Sequence, residues 1–334
     1  MPPQPTPAGR ILLAPDSFKG TFSAVEVVDA LASGFPAAGL EVDRCPVADG
    51  GEGTSETLRA ALGGETVEVD VHDPLGRPIR ANFKLLADGE TAIVDTAAAS
   101  GMDLLSAEEL DAEAATTTGT GELIAAAAQR AKRIWLGVGG SATTDGGRGA
   151  IEALTAAGGL GDVQLVCLCD VRIPWEEAAE EFAPQKGADA ATVKRLSERL
   201  DQLAADAPRD PRGVPMTGAA GGLAGGLWAW CGADLVAGAP FVLEAVDFDL
   251  RARQAVAVVT GEGRLDATTM EGKIVAELAG RANRIGVPVH AIVGEDVTDA
   301  DQKRELGLAS VREATTLAEI TAAARRTAAS YGMT

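Results

Sequence analysis

The strongest constraint on the fold is a repeated order of elements, in which an apolar strand ends in a glycine-rich or acidic turn and a helix follows. This order begins with the apolar segments 10–15 and 42–48, and it returns with the segments 255–260, 287–293 and 309–313. Alternating strands and helices of this kind are typical of a parallel sheet, with ligand loops at the carboxyl ends of the strands. Two strands from the start and three from the end therefore predict one five-stranded, doubly wound parallel sheet.

The middle of the chain follows a different pattern. Segments 65–72, 79–86 and 90–95 alternate apolar and polar residues and are joined by short turns, which predicts antiparallel strands. We therefore expect an α/β protein with a discontinuous parallel-sheet domain (10–64 plus 255–334) and an inserted mixed α/β domain (65–254). Residues 1–9 are expected to form a disordered tail. Because ligands collect at strand ends and domain interfaces, the cleft between the domains is the default site.

Composition excludes several classes of partner. The 334 residues carry a formal net charge of −20 and no run of Lys and Arg, which argues against nucleic acid or an anionic membrane surface. No segment is apolar enough to span a membrane, and the start has no apolar signal region. We therefore expect a cytoplasmic protein; its oligomeric state stays open, with a homodimer as one option.

The chain has five glycine-rich segments: 48–54, 116–122, 139–147, 218–222 and 260–266. All of them except 218–222 also carry hydroxyls or carboxylates. Glycine allows backbone N–H groups to approach a phosphate closely, and a helix that follows adds its positive end. The residues expected to contact a nucleotide or substrate in this way are Gly50, Gly51, Glu52, Thr118, Thr120, Gly140, Ser141, Thr143, Gly221 and Gly261. The alternative is that the hydroxyl side chains only cap helices.

Charged residues beside these turns are candidates for phosphoryl-transfer chemistry. The chain has only seven lysines, and three of them adjoin a glycine: Lys19, Lys186 and Lys273. A lysine there is a good phosphate ligand, although a solvated lysine beside a capping glycine is the alternative. Aspartates follow predicted strands at positions 16, 49, 145, 170 and 266. Each could instead be an N-cap or turn residue, and which of them would serve which role is open from the residues alone.

Taken together, these motifs identify a family resemblance. The segments 14–20, 48–54, 73–78, 97–101, 116–123, 139–147, 184–188, 218–222 and 260–266, with Gly272-Lys273, resemble the bacterial glycerate kinases of the two-domain type and occur in the same order. The resemblance implies a flavodoxin-like domain around an inserted second domain. It also implies transfer of the ATP γ-phosphate to D-glycerate, with Mg²⁺, at the 2-hydroxyl to give 2-phosphoglycerate.

Within this resemblance we assign candidate roles to the charged residues. Asp16 or Asp49 is expected to accept the substrate's hydroxyl proton, and Asp145, Asp170, Glu262 and Asp266 are candidates for binding Mg²⁺. The residues expected to offset charge on the transferring phosphoryl group are Lys19, Lys186, Arg264 and Lys273.

Two departures from the family pattern keep alternatives open. The segment 154–162 is shorter than in relatives, and Arg172 and Ile173 stand where the family has an acid and an amide. A kinase for another small hydroxy acid is therefore the first alternative. A non-catalytic glycerate sensor is the second, but a binding module has no need of the proton-transfer and metal groups that this chain retains.

Overall fold

The structure is a computed structural model of the chain and describes residues 9–35, 41–266, 269 and 273–331. Of the predicted tail, residues 1–8 lie outside the described residues. The strands are β1 Arg10–Leu13, β2 Glu41–Arg44, β3 Gly64–His72, β4 Pro78–Leu86, β5 Thr91–Asp95, β6 Arg133–Gly137, β7 Gln164–Cys169, β8 Asp234–Ala237, β9 Ala255–Thr260, β10 Arg264–Leu265, β11 Val289–Val293, β12 Glu295–Asp296 and β13 Leu308–Glu313.

Helices connect most of these strands. They are α1 Ala24–Gly34, α2 Thr54–Leu62, α3 Ala97–Ser100, α4 Thr118–Ala128, α5 Arg148–Ala156, α6 Ala178–Phe182, α7 Ala190–Ala205, α8 Leu223–Cys231, α9 Gly238–Ala245, α10 Phe248–Arg253, α11 Ile274–Arg284, α12 Ala300–Leu306 and α13 Leu317–Ala329. None of the helices in the described part of the chain is long and apolar enough to cross a membrane.

The chain divides into two compact units, and the first of them contains both ends of the chain. This unit runs up to Asp49 and resumes at Ala239, and the second unit is the continuous segment Gly50–Gly238. The sequence pattern predicts the two domain boundaries later in the chain, after residues 64 and 254. The difference arises because α2 packs against strands β3, β4 and β5 of the second unit, whereas α10 packs against β9 and α11 of the first.

The first unit contains the predicted five-stranded parallel sheet, in the order β13-β11-β9-β1-β2. If the five strands of this sheet are numbered along the chain and read from β2, their order is 2-1-3-4-5. This is the order of doubly wound, flavodoxin-like folds, so the predicted fold class is confirmed. Helices α1 and α13 pack together, with Leu31 and Ile320 fully buried in the core beside this sheet. Ser23 and Glu26 form a capping box that fixes the start of α1 directly after the first ligand loop.

The second unit contains a six-stranded mixed sheet in the order β3-β4-β5-β6-β7-β8. The β3–β4 and β4–β5 pairs are antiparallel, as the alternating pattern predicts, and the strands from β5 to β8 run parallel. The carboxyl ends of β5, β6 and β7 therefore lie at one edge of this sheet and position the loops that follow them.

One predicted loop of the second unit is helical. Helix α4 begins at Thr118, inside the glycine-rich segment 116–122, so Thr118 and Thr120 lie in its first turn. A Cβ atom on Gly119 would lie 1.8 Å from the carbonyl oxygen of His72, and one on Gly121 would lie 2.6 Å from Cα of Ala150. These glycines are therefore required for close packing of α4, which the sequence pattern does not distinguish from a ligand loop.

Candidate functional site

In the first unit, seven of the predicted site residues line one cavity of about 370 Å³: Asp16, Lys19, Asp49, Glu262, Arg264, Asp266 and Lys273. They come from four places in the chain: the loop after β1, the loop after β2, the segment 262–266 that includes β10, and the position just before α11. Parallel strands end at the same edge of the sheet, which is why side chains so distant in sequence meet here. The cavity contains both carboxylates and cations.

Close backbone contacts hold the loops after β1, β9 and β11 together at this edge. The Asp16 N–H donates to the Gly261 carbonyl oxygen (2.8 Å), and the Gly294 N–H donates to that of Glu262 (3.1 Å). A Cβ on Gly261 would lie 2.3 Å from the carbonyl oxygen of Ile292. Gly261 is thus needed for the approach of β9 to β11, independently of any ligand contact.

The carboxylates of the cavity are close enough to change one another's protonation. The pKa of Asp16 is raised well above its usual value, first by burial and then by the carboxylate of Asp49, while the Ser17 N–H and Lys19 act in the opposite direction. Asp49 itself is 8% exposed. A cation bound here would relieve the repulsion between these carboxylates.

Glu262 is a second carboxylate with a raised pKa. Burial raises its pKa to about 7, with smaller contributions from Asp266 and Asp49. The Thr269 hydroxyl, which donates to Oε1 at 3.0 Å, and Lys273 both lower it. At neutral pH this group can therefore hold or release a proton.

The predicted metal ligands do not form a ready-made metal site. Within residues 9–35, 41–266, 269 and 273–331, no group of three or more His, Cys, Asp or Glu side chains is arranged to hold a metal ion. Arg264 already contacts two acids, through Nε to Asp266 Oδ2 (3.4 Å) and Nη1 to Glu295 Oε2 (3.0 Å). Oxygen donors suitable for Mg²⁺ are nevertheless present in the cavity of the first unit.

The second unit holds Lys186 in a buried position. The side chain is 2% exposed, and Nζ donates to the Ser141 hydroxyl (3.1 Å) and the Thr143 carbonyl oxygen (2.6 Å). Burial lowers its pKa to about 7, while Asp145 acts in the opposite direction. A lysine that turns its charge toward a loop of hydroxyls is suited to bind an anionic group.

Asp145 organises the loop on which it lies. Its carboxylate accepts hydrogen bonds from the N–H groups of Thr117 (2.9 Å), Gly147 (3.0 Å) and Gly149 (3.1 Å), and from the Thr117 hydroxyl (2.8 Å). Both oxygens are engaged with the protein, so the structure gives this predicted metal ligand a structural task. Asp170, another predicted metal ligand, is exposed directly after β7.

Two buried hydroxyls of the same loop point to a ligand or bound water. Thr143 Oγ1 and Thr144 Oγ1 are inaccessible and have no hydrogen-bond partner in the described part of the chain. An unpaired buried polar group costs about 1–3 kcal/mol, so such groups normally find a partner. By contrast, the Thr118 and Thr120 hydroxyls already pair with Thr116 Oγ1 (2.9 Å) and Ser100 Oγ (2.8 Å).

Three glycine-rich segments of the second unit pack directly against their neighbours. A Cβ on Gly50 would lie 2.7 Å from the Leu168 carbonyl oxygen, and one on Gly139 would lie 2.6 Å from Cα of Gly51. A Cβ on Gly221 would lie 2.1 Å from the Thr143 carbonyl oxygen, and one on Gly140 would lie 3.0 Å from an oxygen of the exposed Glu52. The structure thus brings together the predicted residues 50–52, 139–143 and 221.

Sequence reasoning did not single out Asp95, which is buried at the end of β5. Its carboxylate accepts hydrogen bonds from the Ser55 N–H (3.1 Å) and hydroxyl (2.8 Å) in the first turn of α2. Burial raises its pKa to about 6, against the effect of those hydrogen bonds. The sequence pattern that could have identified Asp95 is the one that identified the other aspartates, an acid at the end of an apolar strand.

These features define a class of protein: a two-unit α/β enzyme whose acids, lysines and hydroxyls gather where parallel strands end. The model of the glycerate kinase family matches residues 11–159 and 155–331. The glycerate kinase of Bacillus subtilis (strain 168) is 38% identical, and the match covers 90% of this chain and 88% of that protein. The glycerate 2-kinase of Escherichia coli (strain K12) is 36% identical, with 90% and 89% covered.

A solved structure gives the same result. The crystal structure of a putative glycerate kinase 2 from Salmonella typhimurium LT2 aligns with a TM-score of 0.84 and 32% identity, covering 97% of this chain and 98% of that one. The chain belongs to the glycerate kinase family, and the predicted resemblance is confirmed. Membership in a kinase family implies a nucleotide substrate.

Proposed function

We propose that this protein transfers the γ-phosphoryl group of ATP to D-glycerate, at the 2-hydroxyl, to give 2-phosphoglycerate. The observation that carries the proposal is the cavity of the first unit, where four carboxylates and three cations meet at the ends of parallel strands. The names of the relatives in Bacillus subtilis and Escherichia coli support the choice of glycerate, and the latter name supports the 2-hydroxyl.

Asp16 is our candidate for the proton acceptor. As the substrate hydroxyl oxygen attacks the γ-phosphorus, the hydroxyl proton passes to a carboxylate oxygen and ADP leaves. Its raised pKa makes Asp16 a better proton acceptor than an ordinary aspartate, provided that the proton-free form is populated. Asp49 is the alternative, since its carboxylate lines the same cavity.

The same cavity offers groups for the phosphates and for Mg²⁺. Glu262 and Asp266 would hold Mg²⁺, whose charge, when it is bound, offsets that of the phosphates. Lys19 and Lys273 carry ammonium groups suited to phosphate oxygens. Arg264 contacts two acids, Asp266 and Glu295. In the second unit, Lys186, Ser141 and Thr143 are proposed to bind an anionic group of a substrate.

The experiment is an assay of the purified protein with MgATP and a panel of hydroxy acids, following ADP release. ³¹P NMR of the product separates 2-phosphoglycerate from 3-phosphoglycerate. We expect ADP release with D-glycerate and a single 2-phospho product. Absence of turnover with glycerate would overturn the proposal.

A second candidate is phosphorylation of a different small hydroxy acid. It is favoured by Arg172 and Ile173, whose carbonyl oxygens accept hydrogen bonds from the Met216 and Gly218 N–H groups and so join this altered segment to the glycine turn 218–222. Turnover of another acid in the panel, with none of glycerate, would support it. Binding of glycerate without turnover of any acid would instead indicate a sensor.

A further inference from the structure

We propose that Arg199, which no sequence motif identified, is a positioning residue for the ligand-binding loop 141–145 of the second unit. The inference rests on the proposed function of that loop. Arg199 lies on α7, and its guanidinium bridges two separate segments: Nη2 donates to the Thr144 carbonyl oxygen (2.6 Å) and Nη1 to that of Glu113 (2.9 Å). A planar guanidinium can hold two carbonyls in fixed directions.

Two cations hold consecutive carbonyls of this loop. Lys186 takes the carbonyl of Thr143, and Arg199 takes that of Thr144. The next residue, Asp145, collects the N–H groups of Thr117, Gly147 and Gly149. Basic side chains therefore hold the carbonyls of residues 143 and 144, and the Asp145 side chain ties the loop to the segments that carry Thr117 and Gly149.

The side-chain hydroxyls of Thr143 and Thr144 take no part in these contacts. Thr143 Oγ1 and Thr144 Oγ1 are buried without a partner in the described residues, while both carbonyls are occupied by cations. Holding the carbonyls of Thr143 and Thr144 fixes their peptide planes and hence the directions of the N–H groups of Thr144 and Asp145. Such preorganised donors are what a loop needs to bind charge without reorganising.

Helix α7 also contacts the loop at a second point, next to residue 146. A Cβ on Gly146 would lie 2.7 Å from a Leu203 methyl carbon and 3.0 Å from one of Leu200, so this glycine packs directly on α7. The buried Trp175 donates from Nε1 to the Leu200 carbonyl oxygen (2.9 Å) and fixes the helix in turn. Arg199 therefore transmits the position of α7 to the loop.

The test compares Arg199→Ala with Arg195→Ala. Arg195 lies one turn earlier on α7 and pairs with the side chain of Glu113 (2.7 Å), but not with the loop. We expect Arg199→Ala to lower kcat/KM for the hydroxy acid by about tenfold to a hundredfold, as for loss of a charge-assisted hydrogen bond, and Arg195→Ala to change it less than about twofold. A 210 Å³ cavity beside Arg199 should admit guanidinium, so millimolar guanidinium, but not equal NaCl, should restore activity to Arg199→Ala.

Hydrogen exchange of the whole protein separates this proposal from the proposed reaction. Amides of residues 142–149 should exchange at least about tenfold faster in Arg199→Ala than in wild type or Arg195→Ala. If the wild-type protein shows no kinase activity, the proposed reaction is overturned, but hydrogen exchange still tests the positioning role of Arg199. Two results would overturn the positioning role of Arg199. One is that the amides of residues 142–149 exchange in Arg199→Ala at the wild-type rate; the other is that wild type is active and Arg199→Ala has the same kcat/KM. If Arg199→Ala does not fold, Arg199→Lys, which cannot hold both carbonyls, replaces it with the same criteria.

Discussion

At the scale of single residues, a half-buried aspartate and a buried lysine stand out because their surroundings oppose their ionisation. Burial, and after it the carboxylate of Asp49, raises the pKa of Asp16, and burial lowers the pKa of Lys186 to about 7. Both residues were expected from the sequence, because an acid or a lysine beside a glycine turn at a strand end is visible there. Their burial was not, because it depends on segments far away in the chain.

Asp16→Asn tests the proton acceptor. The amide keeps the shape but cannot take the hydroxyl proton, so we expect kcat to fall by about 10²- to 10⁴-fold. Asp29→Asn is the matched control, since Asp29 is an exposed residue on α1 of the same unit that pairs with Arg44. Steady-state kinetics and thermal unfolding of both variants check this. Activity of Asp16→Asn within a few-fold of wild type would remove Asp16 from the mechanism and leave Asp49.

Lys186 should make stability depend on pH in a defined direction. Its usual pKa of 10.5 applies to the unfolded chain, and its folded pKa is about 7. Below pH 7 both states bind the proton and the cost of burying the charge is constant. Between pH 7 and 10.5 only the unfolded state binds it, so raising the pH favours the folded state.

Urea unfolding of wild type and Lys186→Met from pH 6 to 9 measures this effect. The difference in unfolding free energy should shift in favour of wild type above pH 7, by up to about 1.4 kcal/mol per pH unit. Lys194→Met, which removes an exposed lysine of α7, controls for loss of a lysine. A difference that does not change with pH would contradict a buried, shifted Lys186.

At the scale of elements, glycines have two different tasks that look alike in the sequence. In the segment 116–122 they pack the first turn of α4, and Gly261 allows β9 to approach β11. The strand–turn–helix order could be predicted, because apolar periodicity is local. Which glycine faces a ligand and which faces a neighbouring backbone could not, because that is set by tertiary contacts.

Two glycine-to-alanine changes should have opposite effects on stability. Gly261→Ala places a methyl group 2.3 Å from the Ile292 carbonyl oxygen and should cost about 1–3 kcal/mol. Gly280→Ala lies inside α11, where the nearest neighbour of a Cβ would be the flexible Arg284 side chain at 3.9 Å, and should gain about 0.5–1 kcal/mol. Thermal unfolding of both variants checks the signs. Equal effects would show that β9 and β11 are not in close contact at Gly261.

At the scale of the whole molecule, the two units differ in how their chain is connected. The sheet of the second unit draws all its strands from the continuous segment 50–238, whereas that of the first unit needs both ends of the chain. The two sheets were predictable from the change in strand pattern. The boundaries between the two units were not predictable in the same way, because they depend on which sheet α2 and α10 pack against.

A fragment of residues 50–238 should therefore fold alone. It contains the whole six-stranded sheet and its core, including the fully buried Leu123, Ile134 and Leu136. We expect a cooperative urea transition and dispersed NMR signals from this fragment. The fragment 1–49 should remain unfolded, because β9, the neighbour of β1, lies outside it. A fragment 50–238 without a cooperative transition would contradict the division into units.

The arrangement of the first sheet also determines the order of events during synthesis on the ribosome. Strand β1 lies between β2 and β9, and β9 is made only after the entire second unit has been translated. At about 5–20 residues per second, the apolar residues of β1 wait for roughly ten to several tens of seconds without their second neighbour. The second unit is complete before the first can close. The acids of the first unit's cavity, which precede and follow the second unit in the chain, are therefore brought together only when the carboxyl-terminal strands arrive.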